Sequence, residues 1–218
     1  MLMHIVGRQS FKHILCVAIL FVPVAASAGR ITTDLLDDAA DDWHMPDPER
    51  WHWTHGVLVG SSRILDGDKT DPEASTFLVS KRIFGGNLSV TLDVSFQRGR
   101  YIGVYLDFGQ ESQSGIWMAS GHALAEDAPA NEVERGYIKT VENGFWVVRA
   151  NGELVIEGDE VVRLRFARQG DDYSLYQDGR LIATYRKPGG YPPGPIQIRL
   201  TNAHATIQRL EVESDWVR

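Results

Sequence analysis

Between residues 87 and 109 the chain alternates almost without error between apolar and polar side chains. Leu88, Val90, Leu92, Val94 and Phe96 are interleaved with Ser89, Thr91, Asp93 and Ser95. After Gln97-Arg98-Gly99-Arg100, Ile102, Val104, Leu106 and Phe108 are interleaved with Tyr101, Gly103, Tyr105 and Asp107. On a helix such a pattern would scatter apolar groups around every side. On a strand it collects them on one face. The short break predicts a hairpin, because two strands joined by a tight loop pair side by side. Putting both apolar sets on one face sets Phe96 opposite Ile102 and Leu92 opposite Leu106. Asp93 would then face Tyr105, and Thr91 would face Asp107. Gly103 opposite Ser95 would leave a shallow depression where a ring or another backbone could approach.

The same grammar runs through the rest of the chain. Strands are predicted over 56–65 and 75–83, with a charged loop at 66–74 and a turn at Gly85-Gly86. Further strands are predicted over 115–120, 136–141, 144–150, 154–156, 160–168, 172–177, 181–186, 196–200 and 205–213. Asn143-Gly144, Asn151-Gly152 and Asp178-Gly179 are dipeptides that favour the primed turns of hairpins. Residues 187–195 form a Pro/Gly-rich loop. There is no amphipathic helix of convincing length, no repeat and no linker to a second domain. Many short strands punctuated by turns specify a sandwich or a barrel.

Three segments divide the chain. Residues 1–28 carry Arg8 and Lys12, an apolar run over 14–24 and the small-residue pattern Ala26-Ser27-Ala28. That is the grammar of a cleaved secretory signal, and its apolar run is shorter than the roughly 20 residues a membrane span needs. Secretion or a periplasmic location is expected, with no membrane span. Residues 29–50 are an acidic, Pro-containing lead-in, irregular or partly helical, and 51–218 are the β domain. Cys16, the single cysteine, lies in the signal, so the remaining chain must be held by its core, with or without a metal. Losing Arg8 and Lys12 takes the formal net charge from −7 by two further charges to −9. Such a balance disfavours nucleic acid and anionic membranes as partners, which need basic surface.

Several segments resemble, in order, the concanavalin-like jelly rolls of lectins and glucanases. Trp53-Thr54-His55-Gly56-Val57-Leu58 is similar to their opening strand. The runs 77–80, 88–96 and 103–106 follow in that order. Residues 173–183 resemble a two-strand hairpin around Asp178-Gly179, and 194–200 with 210–212 resemble the last strand pair. Among secreted modules of this class, the 3-keto-disaccharide hydrolase domains are the most similar. Where that family carries Asn-Ser-Gly and then Arg, this chain has Tyr101-Ile102-Gly103 and Asp107. The resemblance implies an all-β jelly-roll sandwich of two antiparallel sheets, one of them concave and lined by outward side chains.

Carboxylates hydrogen-bond sugar hydroxyls, and aromatic rings stack on the apolar face of a pyranose. Asp93, Tyr105, Asp107, Trp117, Trp146 and Arg149 are therefore candidate groove residues. Phe145 and Trp146 are adjacent in a strand, so one of them should point outward. Glu211, Glu213 and Asp215 share one face of the last strand. Their sequence lacks the glucanase pattern, and charges on an edge strand also deter aggregation. His44, His52 and His55 match no strong zinc spacing. Asp66, Asp68, Asp71 and Glu73 supply hard oxygen ligands on one loop, and the resemblance implies a structural calcium there. The leading expectation is a module that binds an oligo- or polysaccharide in a concave groove. The alternatives are a glycoside hydrolase with Asp93 and Asp107 as paired carboxylates, and a structural or adhesion module without a small-molecule site.

Overall fold

The computed structural model describes residues 31–34, 42–63, 75–99, 101–109, 114–120, 135–142, 145–156 and 160–218. Residues 1–28, expected to be a signal, and the acidic loop bearing Asp66, Asp68, Asp71 and Glu73 lie outside the described residues. The strands are β1 (Ile31–Asp34), β2 (Trp43–His44), β3 (Trp51–Thr54), β4 (Val57–Ser61), β5 (Ser75–Arg98), β6 (Ile102–Gly109) and β7 (Ser114–Ser120). They continue as β8 (Arg135–Glu142), β9 (Phe145–Glu153), β10 (Val162–Gln169), β11 (Asp172–Gln177), β12 (Arg180–Arg186), β13 (Pro195–Thr201) and β14 (His204–Val217). Every pairing is antiparallel, and the fold is an all-β jelly-roll sandwich. No helix among the described residues is long and apolar enough to cross a membrane.

Sheet A runs β12-β11-β10-β5-β14, and the far edge of β14 is shared by β4 and β1, with β3 beyond β4. Sheet B runs β9-β8-β7-β6-β13-β5-β2. The strand β5 belongs to both: its first half pairs with β13 and β2, and its second half pairs with β10 and β14. Gly85-Gly86 is therefore a bend inside one long strand, not a turn between two. A β-carbon on Gly85 would lie 1.9 Å from the Trp216 ring, so only glycine lets β14 close over the bend.

The two alternating runs do not form a hairpin. Leu92 faces Leu164 and Leu210 in sheet A, whereas Leu106 faces Ile116 in sheet B. Ile102 sits opposite Leu200 and Ser120, not Phe96. The chain arches from one sheet to the other at Gly99, whose φ is +62°. Both runs still present their apolar sides to the same interior, now from opposite walls. Leu88, Val90, Leu92, Val94 and Phe96 meet Ile102, Val104, Leu106, Ile116 and Met118 in one core with Phe166, Tyr173 and Leu200. Each large side chain buried there stabilises by about 1.5–3 kcal/mol.

Turn chemistry held at one of the three dipeptides and failed at a second, and a turn appears at His55-Gly56, where a strand is expected. Asp178 and Gly179, at φ +50° and +82°, close the β11–β12 hairpin, and His55-Gly56 makes the same kind of turn between β3 and β4. Asn151-Gly152 instead lies within β9. There the missing side chain admits the backbone of β12: a β-carbon on Gly152 would be 2.0 Å from the Ile182 carbonyl oxygen. Asn143-Gly144 lies outside the described residues. Within the acidic lead-in, β1 pairs with β14 and β2 pairs with β5, and Trp43 is buried in the core.

Candidate functional site

Strand alternation gives each sheet an inward and an outward face, and the two outward faces differ. On sheet A the outward side chains of β10, such as Arg163 and Arg165, are exposed. On sheet B the outward Gly103 and Tyr105 of β6, Trp117 and Ala119 of β7, Val141 of β8 and Gln197 of β13 are buried. Of these, Tyr105, Trp117, Ala119 and Val141 form a second apolar cluster with Tyr101, against which Phe77 and Phe108 pack. An outward face of a two-layer sandwich is normally wet, so a buried one marks the side where groups converge.

Register builds this face row by row. Gln197, Tyr105, Trp117 and Lys139 are successive neighbours across β13, β6, β7 and β8. Arg199, Gly103, Ala119 and Tyr137 form the next row. The depression expected at Gly103 exists, but its neighbours are Arg199 and Ala119, and the Trp117 indole fills it. A β-carbon on Gly103 would lie 2.2 Å from Trp117 Nε1. Tyr105 stacks on Trp117 with centroids 5.8 Å apart and an interplanar angle of 22°. Trp146 stands edge-on to both, 4.7 Å from Trp117 and 5.8 Å from Tyr105. Tyr101 lies 5.5 Å from Trp117 and Phe108 lies 5.0 Å from Tyr105.

Two cations frame these rings. Lys139 Nζ is 4.7 Å from the Trp117 centroid and 5.2 Å from that of Tyr137. The Arg199 guanidinium is 5.6 Å from both Trp117 and Phe77. It is held by donation to Ser75 Oγ, at 2.7 Å from Nη2 and 3.0 Å from Nε, and to the Tyr105 hydroxyl at 3.2 Å from Nη1. Burial pushes the Tyr101 and Tyr105 phenols up, with the Arg199 charge opposing it. Burial pulls the Lys139 ammonium down, and the like charge of Arg199 adds to that. Trp117 Nε1 is buried with no hydrogen-bond acceptor among the described residues. Lys139 and Arg199 escaped the sequence reading, although both alternate outward beside Ile138 and Ile198.

Of the sequence candidates, Tyr105, Trp117 and Trp146 are brought together here. Tyr105 and Trp117 are each 4% exposed, and Trp146 is 43% exposed. Phe145, at 76%, is exposed as well, so neither member of that pair is buried. The other candidates lie elsewhere. Arg149 donates to Thr140 Oγ1 at 2.9 Å, pairs with Glu142 at 3.6 Å and stands 6.0 Å from the Tyr185 ring. It therefore joins a rim cluster in which the Tyr191 hydroxyl donates to Glu142 at 3.1 Å. Burial, then that hydrogen bond, push the Tyr191 phenol up to about 12.

Asp93 and Asp107 are separated. Asp93 sits on the outward face of sheet A, where Arg163 donates to it twice, at 2.6 and 2.7 Å. Asp107 does not keep the outward direction that strict alternation assigns to it. It has φ +56° and lies in an irregularity of the β6–β7 pairing between Leu106 and Gly109. Its carboxylate turns inward, ion-pairs with Arg168 and accepts from the Tyr173 hydroxyl at 3.0 Å. Burial outweighs the Arg168 charge and raises the Asp107 carboxyl above its ordinary range. Their partners, Arg163 exposed and Arg168 buried, occupy opposite faces of β10, five residues apart. That is about 16 Å along a strand.

The carboxylates of β14 also differ from expectation. The strand is not an edge: β5 flanks one side, and β4 and β1 flank the other. Glu213 and Asp215 line a shallow groove of about 350 Å³ on sheet A, floored by Ser89, Ala167 and Ser174. Arg165 packs 4.0 Å over the Tyr176 ring on its wall, and Glu211 lies in a continuation of the same groove. No three metal-ligating side chains converge among the described residues, His44, His52 and His55 included.

No family model and no curated protein sequence matches the chain. Solved structures do. The carbohydrate-binding module CBM66 from Bacillus subtilis superimposes with a TM-score of 0.57 at 19% identity, covering 79% of this chain and 96% of that one. The Bacillus licheniformis β-glucanase gives a TM-score of 0.57 at 13% identity, covering 86% and 99%. A legume lectin-like domain from Entamoeba histolytica gives 0.57 at 12% identity, covering 82% and 92%. At these identities the likeness establishes architecture: the chain has the concanavalin-like jelly-roll fold.

Proposed function

We propose that this protein binds a saccharide on the outward face of sheet B, with the exposed Trp146 as its stacking ring. The observation that carries the reading is the convergence of Trp146, Trp117 and Tyr105 on an outward sheet face. A half-exposed indole braced edge-on by buried rings is a rigid platform. It loses little entropy when a pyranose lies against it. Lys139, Arg199 and Tyr137 supply hydroxyl-directed groups beside it. Structural neighbours whose names mention carbohydrate binding and glucan cleavage support a saccharide as ligand.

Two-carboxylate cleavage by Asp93 and Asp107 has less support. Glycoside hydrolysis needs carboxyl groups about 5–5.5 Å apart for retention, or about 6.5–9.5 Å for inversion, flanking one bond. Here one carboxylate is neutralised on the outside of sheet A and the other is sealed inside.

A glycan array followed by calorimetry on the best hit tests the reading. Trp146→Ala should weaken binding about tenfold, equivalent to about 1.4 kcal/mol, with unchanged circular dichroism. Wild-type affinity in that variant would refute the site.

A further inference from the structure

The cations of this protein mostly stand against acids or in water. Arg163 pairs with Asp93, Arg168 with Asp107, Arg149 with Glu142 and Arg209 with Glu211. Arg165 and Arg218 stand over aromatic rings but are exposed to solvent, and Lys187 stands alone over Tyr191 with no second cation beside that ring among the described residues. Lys139 and Arg199 differ from both groups. They are half-buried, they flank a single ring, and among the described residues neither has a carboxylate within 4.0 Å. In a chain with 29 acidic and 22 basic residues, two neighbouring cations on a partly desolvated face with no acid beside them among the described residues are a costly arrangement.

Their donors are also free in a useful geometry. Arg199 has five N–H donors, of which Ser75 takes two and the Tyr105 hydroxyl takes one. One N–H remains on each terminal nitrogen, and each can donate to an oxygen of a carboxylate or sulfate. Ser75 is itself fixed by Thr201 Oγ1 at 3.0 Å, so the guanidinium is braced before any ligand arrives. Lys139 is held only by the faces of Trp117 and Tyr137 among the described residues, which leaves its ammonium protons free to donate.

We infer that Lys139 and Arg199 form an oxyanion-binding pair, and that the saccharide recognised on this face carries an acidic group, a uronate carboxylate or a sulfate ester. The inference rests on the reading of this face as the saccharide site and specifies its ligand class. The overall negative charge of the protein would repel long polyanions. The local pair therefore selects a single acidic unit set against the Trp146 platform.

The test uses the full chain and matched ligands measured by calorimetry: a neutral galacto-oligosaccharide bearing one galacturonate, its methyl ester, a singly sulfated galacto-oligosaccharide and its unsulfated parent. One acidic member should bind at least tenfold more tightly than its neutral counterpart, and that preference should shrink as salt is raised. Whether the carboxylate or the sulfate arm shows the effect identifies the oxyanion. Lys139→Gln should abolish the preference, bringing the acidic member's affinity down to that of its neutral counterpart in the same variant, and Lys139→Arg should retain it. Equal binding of acidic and neutral members, or an undiminished preference in Lys139→Gln, overturns the inference and leaves the saccharide reading standing. Failure of every glycan to bind overturns both.

Discussion

Asp107 shows how far one residue's backbone angle can move its chemistry. As a position in an alternating run it belongs with Tyr105 on the outward face. A left-handed φ of +56° directly after Leu106 sends it inward, to Arg168 and Tyr173. Arg168 also donates twice to the Gly86 carbonyl, at 2.6 and 2.9 Å, so this buried group ties β10 to the bend of β5 and to β6. Removing one partner of a buried pair strands the other charge. Asp107→Ala should therefore lose about 3–5 kcal/mol of unfolding free energy, measured by urea denaturation. Asp93→Ala, which breaks a pair whose arginine stays in water, should lose no more than about 1 kcal/mol. Nothing in the residue types separates these two aspartates. Each follows an apolar residue in an alternating run, and only the backbone irregularity distinguishes the outward carboxylate from the buried one.

At the level of elements, the apolar pattern located the strands well and their partners poorly. Leu88–Phe96 and Ile102–Leu106 are strands that bury the predicted sides. Alternation reports which side of a strand meets the interior. It does not report whether the next strand lies beside it or across the core from it, because both arrangements bury the same residues. The break at Gly99 serves a sheet-crossing arch as readily as a hairpin. The Gly85-Gly86 bend is the complementary case, a turn signal that marks a strand changing sheets. Gly85→Ala should force the Trp216 ring away from the bend and destabilise by about 1–3 kcal/mol, read from the midpoint of chemical denaturation. A shift in the intrinsic tryptophan emission should accompany it. An unchanged midpoint would mean that β14 does not close over β5 as described.

Across the whole molecule, the last strand is a central one. β14 holds β5 along one side and β4 and β1 along the other, and its Leu210 and Val212 are fully buried. Truncation before His204 should consequently abolish cooperative thermal unfolding, whereas loss of an edge strand would only lower its midpoint; calorimetry of the shortened chain distinguishes the two. This placement also gives Glu211, Glu213 and Asp215 a role lining a groove instead of guarding an edge. By itself, the sequence determined that the chain is all-β, where most strands run, which side chains form the core and that aromatic groups face outward. Those properties follow from local periodicity, which is written into neighbouring residues. Tertiary structure alone decided that Trp117, Trp146 and Tyr105 share a face with Lys139 and Arg199 while Asp93, Asp107 and Arg149 do not. Strand order and sheet-crossing are set by contacts between residues far apart in the chain, and those contacts leave no periodic trace along it.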